Sequence, residues 1–116
     1  MTRHDDTVYV RHMLDAAREA IKLSARMKRT DLAPFGVETL ALTRLLEVTG
    51  EAARRTSENF RARHSEVEWK QIAGTRDRLI HGYDVVDFDR LWDTCTNDLP
   101  PLVAKLEKVL QDEVGE

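Results

Sequence analysis

An apolar stripe at alternating spacings of three and four residues, Trp92, Cys95, Leu99, Leu102, Leu106 and Val109, passes through Pro100 and Pro101 without losing phase. That spacing marks one face of an α-helix. Adjacent prolines remove two amide donors and ordinarily end a helix, so a stripe in register on both sides predicts one continuous helix, kinked at Pro100-Pro101 and capped by Asp87. Cys95 lies on this stripe, where a small core residue is expected rather than a nucleophile. Residues 111–116 are expected to fray.

The same periodicity recurs upstream. From about Asp5 to Lys28, Val10, Leu14, Ala17, Ile21 and Ala25 form one amphipathic face. Thr30, Asp31, Pro34 and Gly36 then break the pattern, predicting a loop in which Leu32 and Phe35 act as apolar plugs. A second helix is expected from about Val37 to Phe60 with two stripes, Ala41, Leu45, Val48 and Ala52 on one and Leu42, Leu46 and Ala53 on the other. An arc that wide suggests a second surface beyond the bundle, such as another subunit. Gly50, beside the arc, weakens the helix by about 1 kcal/mol relative to Ala and marks either a close helix approach or a locally tolerated glycine. Ser65-Glu66-Val67-Glu68 has the form of a capping box, predicting a third helix from Ser65 that turns Trp69, Ile72 and Leu79 to the core and stops at His81-Gly82. The expected fold is all-α, an up-and-down bundle of four main helices in one domain spanning 1–116.

Composition narrows the function classes. The longest apolar runs are too short to cross a bilayer and Met1–Asp6 lacks a secretory apolar stretch, so a cytoplasmic protein is expected. One cysteine cannot form an internal disulfide, and the scattered His4, His12 and His64 do not stand at metal-binding spacing, so neither metal nor cofactor is expected. A net charge of −3 argues against a whole-surface nucleic-acid binder. Its distribution is uneven: residues 54–81 hold seven Lys/Arg against four acids, and residues 82–116 hold nine acids against three bases. A local phosphate-binding patch would give this pattern, and so would two solvated faces of opposite sign.

The basic stretch ends in Arg76-Asp77-Arg78-Leu79-Ile80-His81-Gly82-Tyr83. A histidine exchanges protons near neutral pH and an arginine holds a phosphate through paired hydrogen bonds. On a continuous helix Asp77 and His81 share a face, so Asp77 can fix the imidazole tautomer, whereas Arg76 and His81 stand roughly 140° apart. Arginine and histidine therefore meet either by unwinding near Gly82 or across a two-fold axis that brings both copies into one groove. Such a groove suits RNA cleavage by the ribose 2′-hydroxyl: one histidine takes its proton, another protonates the leaving 5′-oxygen, and arginine stabilises the developing phosphorane charge. DNA lacks that hydroxyl.

The string Trp69-x-x-Ile72-Ala73-Gly74-x-Arg76-Asp77-x-Leu79-Ile80-His81-Gly82-Tyr83 resembles the signature of the HEPN superfamily and in particular its HepT branch. Leu45–Ala53 and the stretch from Trp92 to Asp98-Leu99-Pro100 resemble further HepT blocks, so the likeness covers most of residues 8–110. The resemblance implies an all-helical homodimer acting as a metal-independent ribonuclease toxin, with Arg76 and His81 as catalytic residues. It also implies a nucleotidyltransferase antitoxin of the MntA type as partner, with Tyr83 as AMP acceptor. An adenylyl group there would add a phosphate charge and a bulky base to a groove meant for RNA phosphates. The sequence departs from the family at Asp77, where Asn is common, and at Asp84-Val85-Val86, where an aromatic often follows the tyrosine. A carboxylate at 77 costs phosphate affinity unless His81 or Arg78 neutralises it, which makes Asp77 and Arg78 supporting residues. The rival is a HEPN dimer that binds or regulates a nucleotidyltransferase without cleaving RNA, and a monomeric bundle without a site is a third possibility.

Overall fold

The computed structural model describes residues 3–81 and 85–115, with the side chains of 6–80 and 85–115. The fold is all-α: α1 (Arg3–Ala25), a 3₁₀ turn (Arg29–Asp31), α2 (Val37–Arg55), α3 (Glu58–Arg63), α4 (Trp69–Ala73), α5 (Thr75–Leu79), α6 (Phe88–Asp93) and α7 (Leu99–Val114). Among the described residues the only strands form a ladder of two residues each, β1 (Ile80–His81) antiparallel to β2 (Val85–Val86). Val10, Met13 and Ala17 of α1, Leu42 and Leu46 of α2, and Leu106 and Val109 of α7 form the centre of the core. Among the described residues no helix is long and apolar enough to cross a membrane.

The helix through the prolines is continuous, as its stripe predicts, but its irregularity lies one turn upstream. Thr94–Asp98 form a π-helical turn between α6 and α7, and the Leu99 amide donates to the Thr94 carbonyl. A widened turn there relieves the clash of each proline ring with the carbonyl four residues before it. Cys95 is buried in the core, and burial pushes its thiol up to about 12.

Four local expectations are corrected. Leu32 plugs the core at 6% exposure, but Phe35 is 81% exposed. Phe35 has φ 62° at the third position of the turn from Ala33 to Gly36, which has Pro34 at its second position and is closed by the Gly36 amide on the Ala33 carbonyl, and this left-handed geometry sends its ring outward. The second helix ends at Arg55 rather than Phe60, because buried Asp6 of α1 accepts both the Ser57 amide and hydroxyl at 2.8 Å. Ser57 then caps α3 by accepting from the Phe60 amide. The Ser65–Glu68 capping box does not form: Val67 turns into the core, the Trp69 indole donates to the His64 carbonyl at 2.9 Å, and the helix begins only at Trp69. Helical backbone stops at Leu79 rather than at His81-Gly82, because Ile80 is extended and the Asp87 amide donates to the Leu79 carbonyl at 2.8 Å. What was expected as a third long helix is α4, a break at Gly74, and α5.

The end of α7 is tied down as far as Glu113 instead of fraying. His64 is buried against the Phe60 ring, and its Nε2 stands 2.5 Å from a Glu113 carboxylate oxygen that also accepts from Arg63 at 3.2 Å. Burial pushes the Glu113 carboxyl up, but the bonds from His64 and Arg63 outweigh it and hold the group below its ordinary value. A carboxyl depressed in the folded chain stabilises fully above its unfolded pKa, about 4.3, and loses that contribution as pH falls through the folded value. Glu113→Gln should therefore cost about 1–3 kcal/mol at neutral pH in urea unfolding. The difference from the parent should shrink on acidification below about pH 4, and an undiminished difference at low pH would contradict this role.

Candidate active site

Three residues on one face of α2, Glu47, Gly50 and Arg54, hold the segment that carries the basic motif. A Cβ at Gly50 would lie 2.9 Å from the Ile72 carbonyl oxygen, so α4 approaches α2 more closely than any side chain allows. The glycine marks a close helix approach. One turn along, the Arg54 guanidinium donates to the Ala73 carbonyl at 2.8 Å and satisfies an acceptor at the end of α4. One turn back, Glu47 accepts from Arg76 Nε at 2.9 Å. Arg76 is 61% exposed at its side chain while Glu47 is 24% exposed, so the carboxylate forms the wall and the guanidinium faces solvent. An ion pair this exposed is worth at most about 1 kcal/mol, and a phosphate can compete for the arginine.

Arg76 and Arg78 do not act on one spot. Residues two apart on a helix stand roughly 200° apart around its axis. Arg78 folds back over the end of α4, donating to the Gln71 carbonyl and lying 3.4 Å from the Thr75 hydroxyl. Gly74 leaves room for this, since a Cβ there would meet an Arg78 nitrogen at 3.1 Å. Asp77 is exposed in the first turn of α5.

His81 is not on the helix that carries Asp77. Its backbone pairs with Val85 in the ladder, so the four-residue helical spacing that would align Asp77 with the imidazole does not apply. Unwinding, one of the two alternatives open to the sequence, begins at Ile80 rather than at Gly82, and the chain goes on to the cap of α6, where Asp87 accepts from the Arg90 amide at 3.0 Å. The His81 side chain and all of Tyr83 lie outside the described residues, so their expected roles as acid/base and AMP acceptor are not located. Sequence reasoning missed Glu47 and Arg54 as positioning residues. Their signal was present: both lie within one helical face of Gly50, at spacings of three and four residues.

A family model described as "Ribonuclease HepT-like" matches residues 13–109, a span that contains α2, the Arg76 segment and the hairpin. The chain belongs to the HepT-like ribonuclease family. A provisionally designated RNase of Caldanaerobacter subterraneus subsp. tengcongensis is 36% identical over 90% of this chain and 94% of its own length. A provisionally designated ribonuclease HepT of Thermococcus cleftensis is 42% identical over 60% of this chain and 63% of its own. A further provisional RNase, from Methanocaldococcus jannaschii, is 28% identical over 99% of this chain and 95% of its own. No solved structure matches the HepT-like chain significantly.

The clamp on α2 gives a direct test. Alanine in place of Gly50 gains about 1 kcal/mol of helix propensity but places a methyl group against a backbone carbonyl. We expect Gly50→Ala to lose about 1–3 kcal/mol net in urea unfolding. A gain in stability would show that the approach of α4 to α2 is not tight.

Proposed function

We propose that this HepT-like protein is a metal-independent endoribonuclease toxin whose cleft is shared by two copies of the chain. The observation that carries the proposal is Arg76: an exposed guanidinium held at Glu47, on a motif that continues to His81, in a member of a ribonuclease family. Pairing of two chains is supported by the outer face of α2, where Val37 is 77% and Leu40 52% exposed. A monomeric bundle would leave these side chains in water.

In the shared cleft, His81 of one chain takes the proton of the ribose 2′-hydroxyl as that oxygen attacks the phosphorus. His81 of the other chain protonates the departing 5′-oxygen, and the Arg76 guanidinia balance the charge on the phosphorane. The products are a 2′,3′-cyclic phosphate and a free 5′-hydroxyl, and no step requires a metal. RNA is the substrate, and the cytoplasm is the site of action. Regulation follows from Tyr83, two residues beyond His81: transfer of AMP from ATP to its hydroxyl by an MntA-like nucleotidyltransferase antitoxin, with release of pyrophosphate, blocks the cleft with charge and bulk. Exposed Asp77 beside Arg76 favours a second reading, a dimer that serves the nucleotidyltransferase without cutting, because its carboxylate repels RNA phosphates.

Purified protein in EDTA should cut RNA to cyclic-phosphate ends. Arg76→Ala and His81→Ala should each lower the rate by about 10²-fold or more. Undiminished cutting by either variant would overturn the assignment, and no cutting by the parent protein alongside tight binding to the transferase would favour the second reading.

A further inference from the structure

The face of α5 opposite Arg76 looks onto a separate cavity of about 220 Å³, between α2, α4, α5 and the continuous helix that includes the π turn. Cations from three different elements line it: Arg78 of α5, Arg90 of α6 and Lys105 of α7. Its apolar wall is made by Leu46, Ile72, Leu99 and Leu102, of which Leu46 and Leu99 are almost fully buried. Among the described residues, neither Arg76 nor Glu47 lines it, so it is separate from the Arg76–Glu47 pair.

Two features prepare this cavity for a ligand. Arg78 is already fixed by the Gln71 carbonyl and the Thr75 hydroxyl, using one terminal nitrogen and leaving the other guanidinium donors for an anion. The π turn supplies the opposite wall through Thr94, Asn97 and Asp98. Pro100 and Pro101 have no amide hydrogens, so the Thr96 carbonyl has no backbone donor four or five residues ahead. Such turns are frequent at functional sites. An apolar slot flanked by side-chain amides and hydroxyls, with arginine and lysine around it, fits a flat heteroaromatic ring carrying an anionic group. The volume lies below the roughly 300–1,000 Å³ of pockets for drug-sized ligands, which matches one such unit rather than a longer ligand.

We propose that this cavity binds a nucleotide: its base lies against Leu46, Ile72 and Leu102, and its phosphate is held by Arg78, Arg90 and Lys105. The nucleotide can be one residue of an RNA strand or a free mononucleotide, which share this chemistry. Glu68 and Asp98 also line the cavity and oppose the phosphate, which keeps binding moderate and makes it sensitive to their charge.

Titration calorimetry on the full chain, with each nucleoside 5′-monophosphate, inorganic phosphate and a short RNA carrying a 2′-methoxy block against cleavage, tests this. Binding is read without turnover, so the outcome is independent of whether the protein cuts RNA. A mononucleotide should bind at least tenfold more tightly than phosphate. The Arg90→Ala/Lys105→Ala variant should weaken it at least tenfold with unchanged circular dichroism, and Asp98→Asn should strengthen it severalfold. Loss of RNA affinity in the double variant would identify the strand as the source, and loss of mononucleotide affinity alone would identify a free nucleotide. Equal binding by the parent and the double variant, or no binding of either nucleotide or RNA, would overturn the proposal.

Discussion

The close approach of α4 to α2 at Gly50 is the constraint from which the rest of the site follows. With only hydrogen at that position, the Ile72 carbonyl can come within a distance that any side chain would forbid. The Arg54 bond to Ala73 and the Glu47 bond to Arg76 then fall on the same face of α2, at helical spacings on either side. One helix thus sets the position of the break at Gly74, the direction of α5 and the exposure of Arg76. None of the three contacts is worth more than a few kcal/mol, but their shared face fixes orientation as well as distance.

Splitting the expected third helix into two short pieces has a chemical consequence. A continuous helix would hold Arg76 and His81 on different faces and Asp77 under the imidazole. Ending the helix at Leu79 and extending Ile80 and His81 frees the histidine from that phase and hands it to the hairpin, whose far strand leads into the cap of α6. Arg76 and Arg78 meanwhile lie on opposite sides of α5, one toward Glu47 and one toward the groove beside the π turn. The basic character of the middle of the chain is divided between two surfaces.

Helical periodicity made the long elements legible: α1, α2 and the helix crossing the prolines stand where the apolar stripes place them, and Cys95 and Leu32 are core residues as their positions imply. The misses share one cause, tertiary contacts that outweigh local signals. Asp6 stops α2 from 51 residues away in sequence by taking both polar hydrogens of Ser57. Burial of Val67 and Trp69 overrides the Ser65–Glu68 capping box. The buried pairing of His64 was not legible because its partner, Glu113, lies 49 residues downstream. At the site, the residue types of the motif were legible, but their mutual geometry was not, because it depends on a helix end that the Asp87 amide and the hairpin determine. Glu47 could be recognised as the partner of Arg76 only once α2 and α5 were packed together.

The central claim is that cleavage occurs in a cleft to which both copies of the chain contribute, and subunit mixing tests it most directly. Unsubstituted and His81→Ala chains, co-expressed with different tags and purified as the mixed dimer, retain one of the two imidazoles the cleft requires. The account predicts that this mixed dimer cuts RNA about 10²-fold or more below the unsubstituted dimer, because base and acid come from opposite chains. A mixed dimer with half the unsubstituted rate would show that each chain carries a complete site of its own and would contradict a shared cleft.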